Sequence, residues 1–367
     1  RPELLLALMW LRRRVLKLKK KMELLGLDAF VVAKSGFYFS GTTACKMVVI
    51  PSDGEPILIC SRLEQERAAA ESWIKDVRAF SAWKAPLRSG ERVYFMKPHE
   101  LLDSCLESIG ARFVGYEGLP PSTVRALKKT GKRNCVELSK WVQELRAIKD
   151  PSEIKLLRKS AQIASRGMRA ALETLRPGIR EIDVAAQAEY EMRKRGSTGT
   201  PFPTIVASGK NSALPHASAT EKKIRKGELV VIDLGATYRG YASDCTRTWG
   251  VGLSKKRLQL VEIVKRAQKS AVARLRDGMM VKEICAAANQ VLNRAGLLRD
   301  SLHGLGHGVG IEIHELPSLY PGSKEVLKSG MVLTVEPGVY CRNIGGARWE
   351  DMFLIKKNDA EQLTMTT

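Results

Sequence analysis

The tetrapeptide Leu175-Arg-Pro-Gly178 returns one hundred residues later as Leu275-Arg-Asp-Gly278. Each copy is followed by a Glu-Ile pair (Glu181 and Ile182, Glu283 and Ile284), an alanine-rich stretch of helical spacing and a closing glycine, Gly196 or Gly296. Strand-like sequence comes next in both. Two αβ halves related by a pseudo-twofold account for this order, and such a pair places a site at the seam between them. The repeat carries no chemistry of its own, so the residues at the seam must supply it.

A boundary precedes the repeat. Asp150, Pro151 and Glu153 form an N-cap, a first-turn proline and a capping-box acid, and they start a helix that Pro177 and Gly178 end. The linker before it, residues 137–149, has helical spacing as well. Residues 1–140 make the first expected domain, an α/β unit. Its short β-branched runs (29–32, 47–50, 56–59, 93–96 and 112–114) alternate with helical stretches such as 62–72 and 100–109. This domain has one histidine, His99, which reads as structural at a Lys-Pro-His-Glu helix start. Residues 141–367 make the second domain, an α+β unit containing the repeat.

Composition narrows the class. A chain of 367 residues with 44% hydrophobic content can bury two cores, and without low-complexity tracts it is neither disordered nor fibrous. No stretch approaches the roughly 20 apolar residues that span a bilayer. The apolar start, residues 4–11, precedes its charges rather than following them, which is the wrong order for a secretory signal. Seven cysteines without a C-x-x-C pair point to reduced thiols and a cytoplasmic protein. The net charge of +22 is densest at Arg12, Arg13, Arg14, Lys17, Lys19, Lys20 and Lys21. These residues share a helix whose apolar face is Leu4, Leu5, Leu8, Leu11, Val15 and Leu18, and it reads as a solvated surface helix. The rest of the charge is spread out, so nucleic acid is not expected as the main partner.

Histidines carry the sharpest signal. Of five, His216, His303, His307 and His314 lie in the last 152 residues, and three stand on the glycine-rich stretch His303-Gly-Leu-Gly-His307-Gly-Val-Gly-Ile-Glu-Ile-His314. Its glycines exclude a regular helix and allow close backbone approach, so it reads as a loop entering a strand. Acids then appear inside apolar strands. Asp233 ends Leu229-Val-Val-Ile, and Asp244 follows a glycine-bounded turn that would set the two side by side across a hairpin. Glu336 ends Met331-Val-Leu-Thr-Val, and Glu350 opens the neighbouring strand. Carboxylates in such runs are costly unless paired or bound to metal. Four of them with one imidazole and no thiolate suit a pair of divalent ions, Mn²⁺ or Co²⁺ first and Zn²⁺ as a third choice. Such a pair can bridge and deprotonate a water and clamp a carbonyl.

In these motifs the sequence resembles the pita-bread metallopeptidases, in their prolidase and aminopeptidase P branch. The resemblance rests on Pro203-Thr-Ile-Val-Ala-Ser-Gly209, Pro215-His216, Val231-Ile-Asp233-Leu-Gly, His303-Gly-Leu-Gly-His307, Val335-Glu336-Pro-Gly-Val-Tyr340 and Arg348-Trp-Glu350-Asp. It implies a creatinase-like N-terminal α/β domain and a catalytic pita-bread domain. It implies that Asp233, Asp244, His307, Glu336 and Glu350 hold two metals, Asp244 and Glu350 as bridges, and that Glu336 also shuttles the proton of the attacking water. By the same resemblance His216 and His314 hold the scissile carbonyl and its oxyanion, and His303 lines the proline pocket. Arg348 would support Glu350, and Tyr340 would line the site. The implied reaction is hydrolysis of the Xaa-Pro bond of small peptides by a homodimer.

Methionine aminopeptidases resemble only the second domain and lack the equivalents of His303 and Arg348; creatinases lack the metal set. Chain length favours a dipeptidase over aminopeptidase P. Ser318, where many prolidases place an arginine, weighs the other way, and Trp349 replaces the usual aliphatic residue. An alternative of another class is a basic pita-bread protein that binds nucleic acid or ribosomes, which would not need all five ligands.

Overall fold

The computed structural model describes residues 2–129 and 131–365, with side chains from Leu8 onward. It divides into two compact units, Arg1–Arg146 and Ala147–Thr367. The helix Ser139–Ala147 packs on the first unit. Its Trp141 stacks on Phe30 with ring centroids 6.4 Å apart, and Arg146 donates to Ser35 Oγ at 2.9 Å.

The N-terminal unit is a seven-stranded mixed sheet. Its strands are β1 (Ala29–Val32), β2 (Met47–Pro51), β3 (Ile57–Ser61), β4 (Asp76–Phe80), β5 (Val93–Tyr94), β6 (Phe113–Glu117) and β7 (Asn134–Glu137), in the order β5-β4-β3-β2-β1-β6-β7. Strands β1, β2 and β3 pair antiparallel and the remaining pairs are parallel. Strands β4 and β7 escape the sequence pattern because Asp76, Arg78 and Asn134 interrupt their apolar runs, and the helix Pro121–Lys129 escapes it as well.

The basic first helix, Pro2–Glu23, is less solvated than its charge suggests. Val15, Leu18 and Met22 are buried, and so is Arg14, whose guanidinium lies 4.4 Å over the Tyr38 ring and donates to the Tyr38 carbonyl. The Leu4 and Leu5 side chains of its expected apolar face lie outside the described residues. No helix among the described residues is long and apolar enough to cross a membrane.

The C-terminal unit repeats one plan. The helices Pro151–Thr174 and Glu181–Lys194 pack together, and so do Lys255–Val272 and Val281–Arg294. The joints contain Gly178 and Gly278, at φ +91° and +79°. Each pair covers its own sheet. The first covers β8 (Ile205–Ser208), β9 (Val230–Leu234) and β12 (Cys245–Trp249), ordered β12-β9-β8, with a short hairpin β10 (Thr237–Tyr238) and β11 (Tyr241–Ala242) between. The second covers β13 (Gly306–Gly308), β14 (Glu315–Leu319), β15 (Val332–Val335), β18 (Asp351–Ile355) and β19 (Ala360–Gln362), ordered β14-β13-β15-β18-β19. Strands β16 (Gly338–Cys341) and β17 (Gly345–Arg348) form a further hairpin. Each half has its own core: Ile163, Met168, Val184, Val230 and Ile232 in one, Val264, Ile284, Leu333, Val335 and Phe353 in the other. Thr246 on β12 bridges Glu350 beside β18, and that backbone pairing joins the two sheets.

The start signal read from sequence is present in full. Asp150 accepts hydrogen bonds from the Ser152 and Glu153 backbone N–H groups, while Glu153 accepts from the Asp150 N–H. Asp150→Ala should therefore destabilise the C-terminal unit by about 1 kcal/mol, read as a lower urea midpoint at unchanged slope.

Candidate metal centre

The period of two along a strand explains why an acid leaves the core of the first half. Val230, Ile232 and Leu234 of β9 point into that core, so Asp233 points the other way into a cleft of about 530 Å³. Asp233 faces Thr246 in the ladder, not Asp244 as the hairpin reading expected. The intervening β10–β11 hairpin moves Asp244 one step beyond the β9–β12 ladder, and it still lines the same cleft.

The second half supplies the other three. His307 occupies the middle of β13, where neighbouring backbone leaves no room for side chains on either side. A Cβ at residue 306 would stand 2.1 Å from the Thr334 carbonyl oxygen, and one at residue 308 would stand 2.1 Å from that of Leu316. Glycine at both positions lets β13 enter the sheet while the imidazole projects into the cleft. Strands β15 and β18 pair with Val335 opposite Asp351, so Glu336 and Glu350 each stand one residue past that ladder.

The donor atoms converge. Asp244, His307 and Glu350 offer one atom each, all within 4.8 Å of one another. His307 Nε2 is 3.6 Å from Asp244 Oδ2 and 3.5 Å from Glu336 Oε1, too long for hydrogen bonds. Two donors held at about 2.1 Å by one ion stand roughly 3–3.5 Å apart, so these separations fit a shared cation. Asp233 and Asp244 each bury an Oδ1 with no hydrogen-bond partner. Unanswered acceptors of this kind are expensive, and a divalent ion would answer both.

Electrostatics say the same. Burial first, and then the neighbouring carboxylates, push Asp244 and Glu350 well above the usual carboxylate range. Burial also drives Glu336 up to about 8, against the opposing pull of Arg348. His307 falls to about 4 through burial and the nearby His314, which keeps it in the neutral form that binds metal. Acids so placed shed their protons when a cation takes the protons' place.

Around them runs a one-way chain of hydrogen bonds. Arg348 Nη2 donates to Asp233 Oδ2 at 2.6 Å, Nε to Thr246 Oγ1 at 3.1 Å, and Nη1 to the Tyr340 hydroxyl at 2.6 Å. The Arg348 expected to support Glu350 thus serves Asp233 directly. It reaches Glu350 only through Thr246, whose hydroxyl donates to Glu350 Oε2 at 2.6 Å. His303 Nδ1 lies 2.7 Å from its neighbour's carbonyl, so that nitrogen carries the proton and Nε2 accepts from Tyr340 at 2.8 Å. Asp351, the acid beside Glu350, is taken up by Arg247 at 2.7 Å and is not a free donor. Trp349, the unusual residue, meets the cations of Arg247 and Lys265, 4.5 and 4.4 Å from its ring centroid.

All five expected ligands, together with His216, His303, His314 and Arg348, line the one cleft, and Tyr340 stands behind His303. His216 and His314 are exposed at its mouth, where the His314 ring meets His307 edge-on at 4.3 Å. Sequence reasoning missed Thr246, and the apolar wall formed by Phe202, Ile205 and Ile313. The alternation 244, 246, 248 along β12 could have shown that Thr246 shares a face with Asp244.

Comparison with known proteins decides the family. Residues 155–357 match the model of metallopeptidase family M24, and residues 14–148 match the creatinase/prolidase N-terminal domain. The chain belongs to metallopeptidase family M24. It is 39% identical to a Xaa-Pro dipeptidase of Pyrococcus furiosus, over 97% of this chain and 99% of that protein. Among solved structures, a Xaa-Pro dipeptidase from Bacillus anthracis superposes with a TM-score of 0.89 at 32% identity, covering 97% of this chain and 98% of that one. An X-Pro aminopeptidase from Thermotoga maritima superposes at 0.83 with 30% identity, covering 95% and 98%. The two-domain creatinase and pita-bread architecture is thus that of the M24 family, whose members use divalent metals.

Replacing Thr246 by Val removes the hydroxyl between Arg348 and Glu350 without changing the side-chain volume. Metal affinity should fall about 10–100-fold, measured by chelator competition, with the fold unchanged by circular dichroism.

Proposed function

We propose that this M24 metallopeptidase is a Xaa-Pro dipeptidase working with two divalent ions. The observation that carries the reading is the convergence of Asp233, Asp244, His307, Glu336 and Glu350 on a single cleft with two exposed histidines at its mouth. Asp233, His307 and Glu336, with Asp244 and Glu350 as the bridges, would hold the ions, Mn²⁺ or Co²⁺ by ligand chemistry. The ions would supply Lewis acidity toward the scissile carbonyl and a lowered pKa for the attacking water.

The chain's own residues do the rest. An Xaa-Pro bond is a tertiary amide, so its leaving nitrogen carries no hydrogen and must gain a proton as the bond breaks. Glu336 is placed to take a proton from the attacking water and pass it to that nitrogen. His216 and His314 project from the cleft's mouth toward the position of the carbonyl oxygen and donate to the oxyanion. His303, fixed in one tautomer by Tyr340 and its own neighbour's carbonyl, presents a rigid wall to the proline ring. Phe202 and Ile205 extend that wall. The resemblance extends the reading to a cytoplasmic homodimer; all seven cysteines are free thiols, six of them buried.

The test is hydrolysis of Ala-Pro and Met-Pro beside Ala-Pro-Ala, by Mn²⁺- or Co²⁺-loaded protein and by a metal-stripped control. Cleavage of the dipeptides alone, lost on stripping and restored by metal, is the expected result. Cleavage of the tripeptide would move the assignment to aminopeptidase P, and inactivity on all three with metal bound would overturn it. In the loaded enzyme, His314→Ala should lower kcat about 10²–10³-fold with little change in KM, as loss of an oxyanion donor does.

A further inference from the structure

Between Gly308 and Glu315 the chain has neither helix nor strand, yet this segment brings Ile313 and His314 to the cleft. A catalytic donor needs a better-defined position than an irregular loop provides by itself. The carboxylate of Glu315 provides it. Its Oε1 accepts the Glu312 backbone N–H at 3.1 Å, and the Gly310 N–H closes onto the Glu312 carbonyl at 3.0 Å. A Cβ at residue 310 would stand 2.4 Å from both Glu315 oxygens, so the loop is wrapped closely around this group and a side chain at 310 would have to displace it.

The carboxylate is itself held. Lys149 Nζ lies 3.2 Å from Glu315 Oε2, with the two side chains 0% and 4% exposed. Lys149 stands on fixed backbone. Its N–H donates to the Gly330 carbonyl at 2.9 Å, Ile148 forms a bridge with Met331, and Asp150 caps the following helix. A buried ion pair of this kind contributes little net stability, because desolvation offsets the attraction. What it supplies here is a direction: it ties the loop carrying His314 to the backbone just before the helix Pro151–Thr174, 166 residues away in sequence.

We propose that Lys149, acting through Glu315, is the positioning residue for His314. The proposal rests on the reading of His314 as the donor to the scissile carbonyl. It predicts coupling: once His314 is gone, removing Lys149 has little left to misplace.

The experiment is a double-mutant cycle in the full-length, metal-loaded protein with Ala-Pro as substrate. Lys149→Met should lower kcat about tenfold or more with a smaller change in KM, but less than about threefold in a His314→Ala background. Equal losses in the two backgrounds, or no loss in either, would overturn the proposal. A second readout does not need activity. In protein labelled with ¹⁵N-histidine, Lys149→Met should displace the His314 side-chain signal, identified by its disappearance in His314→Ala, and leave that of His99 in place. An unmoved His314 signal in folded protein sinks the idea. Glu315→Gln, which keeps the side-chain volume, carries both readouts if Lys149→Met does not fold. If the parent protein cleaves no Xaa-Pro peptide the functional reading fails, while the histidine spectrum still decides whether Lys149 places His314.

Discussion

Asp233, Asp244, Glu336 and Glu350 share one cleft, with Asp244 and Glu350 only 5% and 1% exposed, so like charges meet where water screens them poorly. Two neighbouring side chains, Arg348 and Thr246, answer part of that repulsion. Arg348 provides one fixed positive charge and is kept charged, despite its burial, by Asp233, Tyr340 and the two glutamates. The Thr246 hydroxyl is aimed at a carboxylate oxygen of Glu350. What remains is a negative surplus that a protein side chain does not neutralise, and divalent ions do.

The scaffold brings the acids together by splitting them. Each half of the pseudo-twofold buries its own apolar core and leaves an acid on the opposite strand face or just beyond the ladder, where exclusion from the core is a matter of strand period. The halves meet at Thr246 and Glu350. That one contact is at once a backbone pairing, a side-chain hydrogen bond to an expected ligand, and the hydrogen-bonded route from Arg348 to Glu350.

Much of this was legible beforehand, for reasons that lie in particular residues. Asp233 and Glu336 announce themselves because an acid among valines and isoleucines needs a partner, and His307 because only glycines flank it. The helix at Pro151 was readable from a complete capping box. Less legible was anything set by contacts distant in sequence. The hairpin between β9 and β12 separates Asp233 from Asp244 by an amount that no local turn rule fixes. The allegiance of Arg348 to Asp233 depends on a partner 115 residues away, and the end of the first domain depends on Trp141 meeting Phe30. The buried Arg14 belongs to the same class: on a helix so basic, nothing local distinguishes the one cation that packs over a tyrosine.

Asp244, His307 and Glu350 lie on chain segments tens of residues apart and come within 4.8 Å only once both halves have met. An ion gripped there would act as a clasp, because the unfolded chain presents no such cluster and the free energy of metal binding would therefore add to that of folding. Metal supply then bears on two quantities at once: how fast each molecule works, and how long it persists as a folded molecule before a protease finds it open.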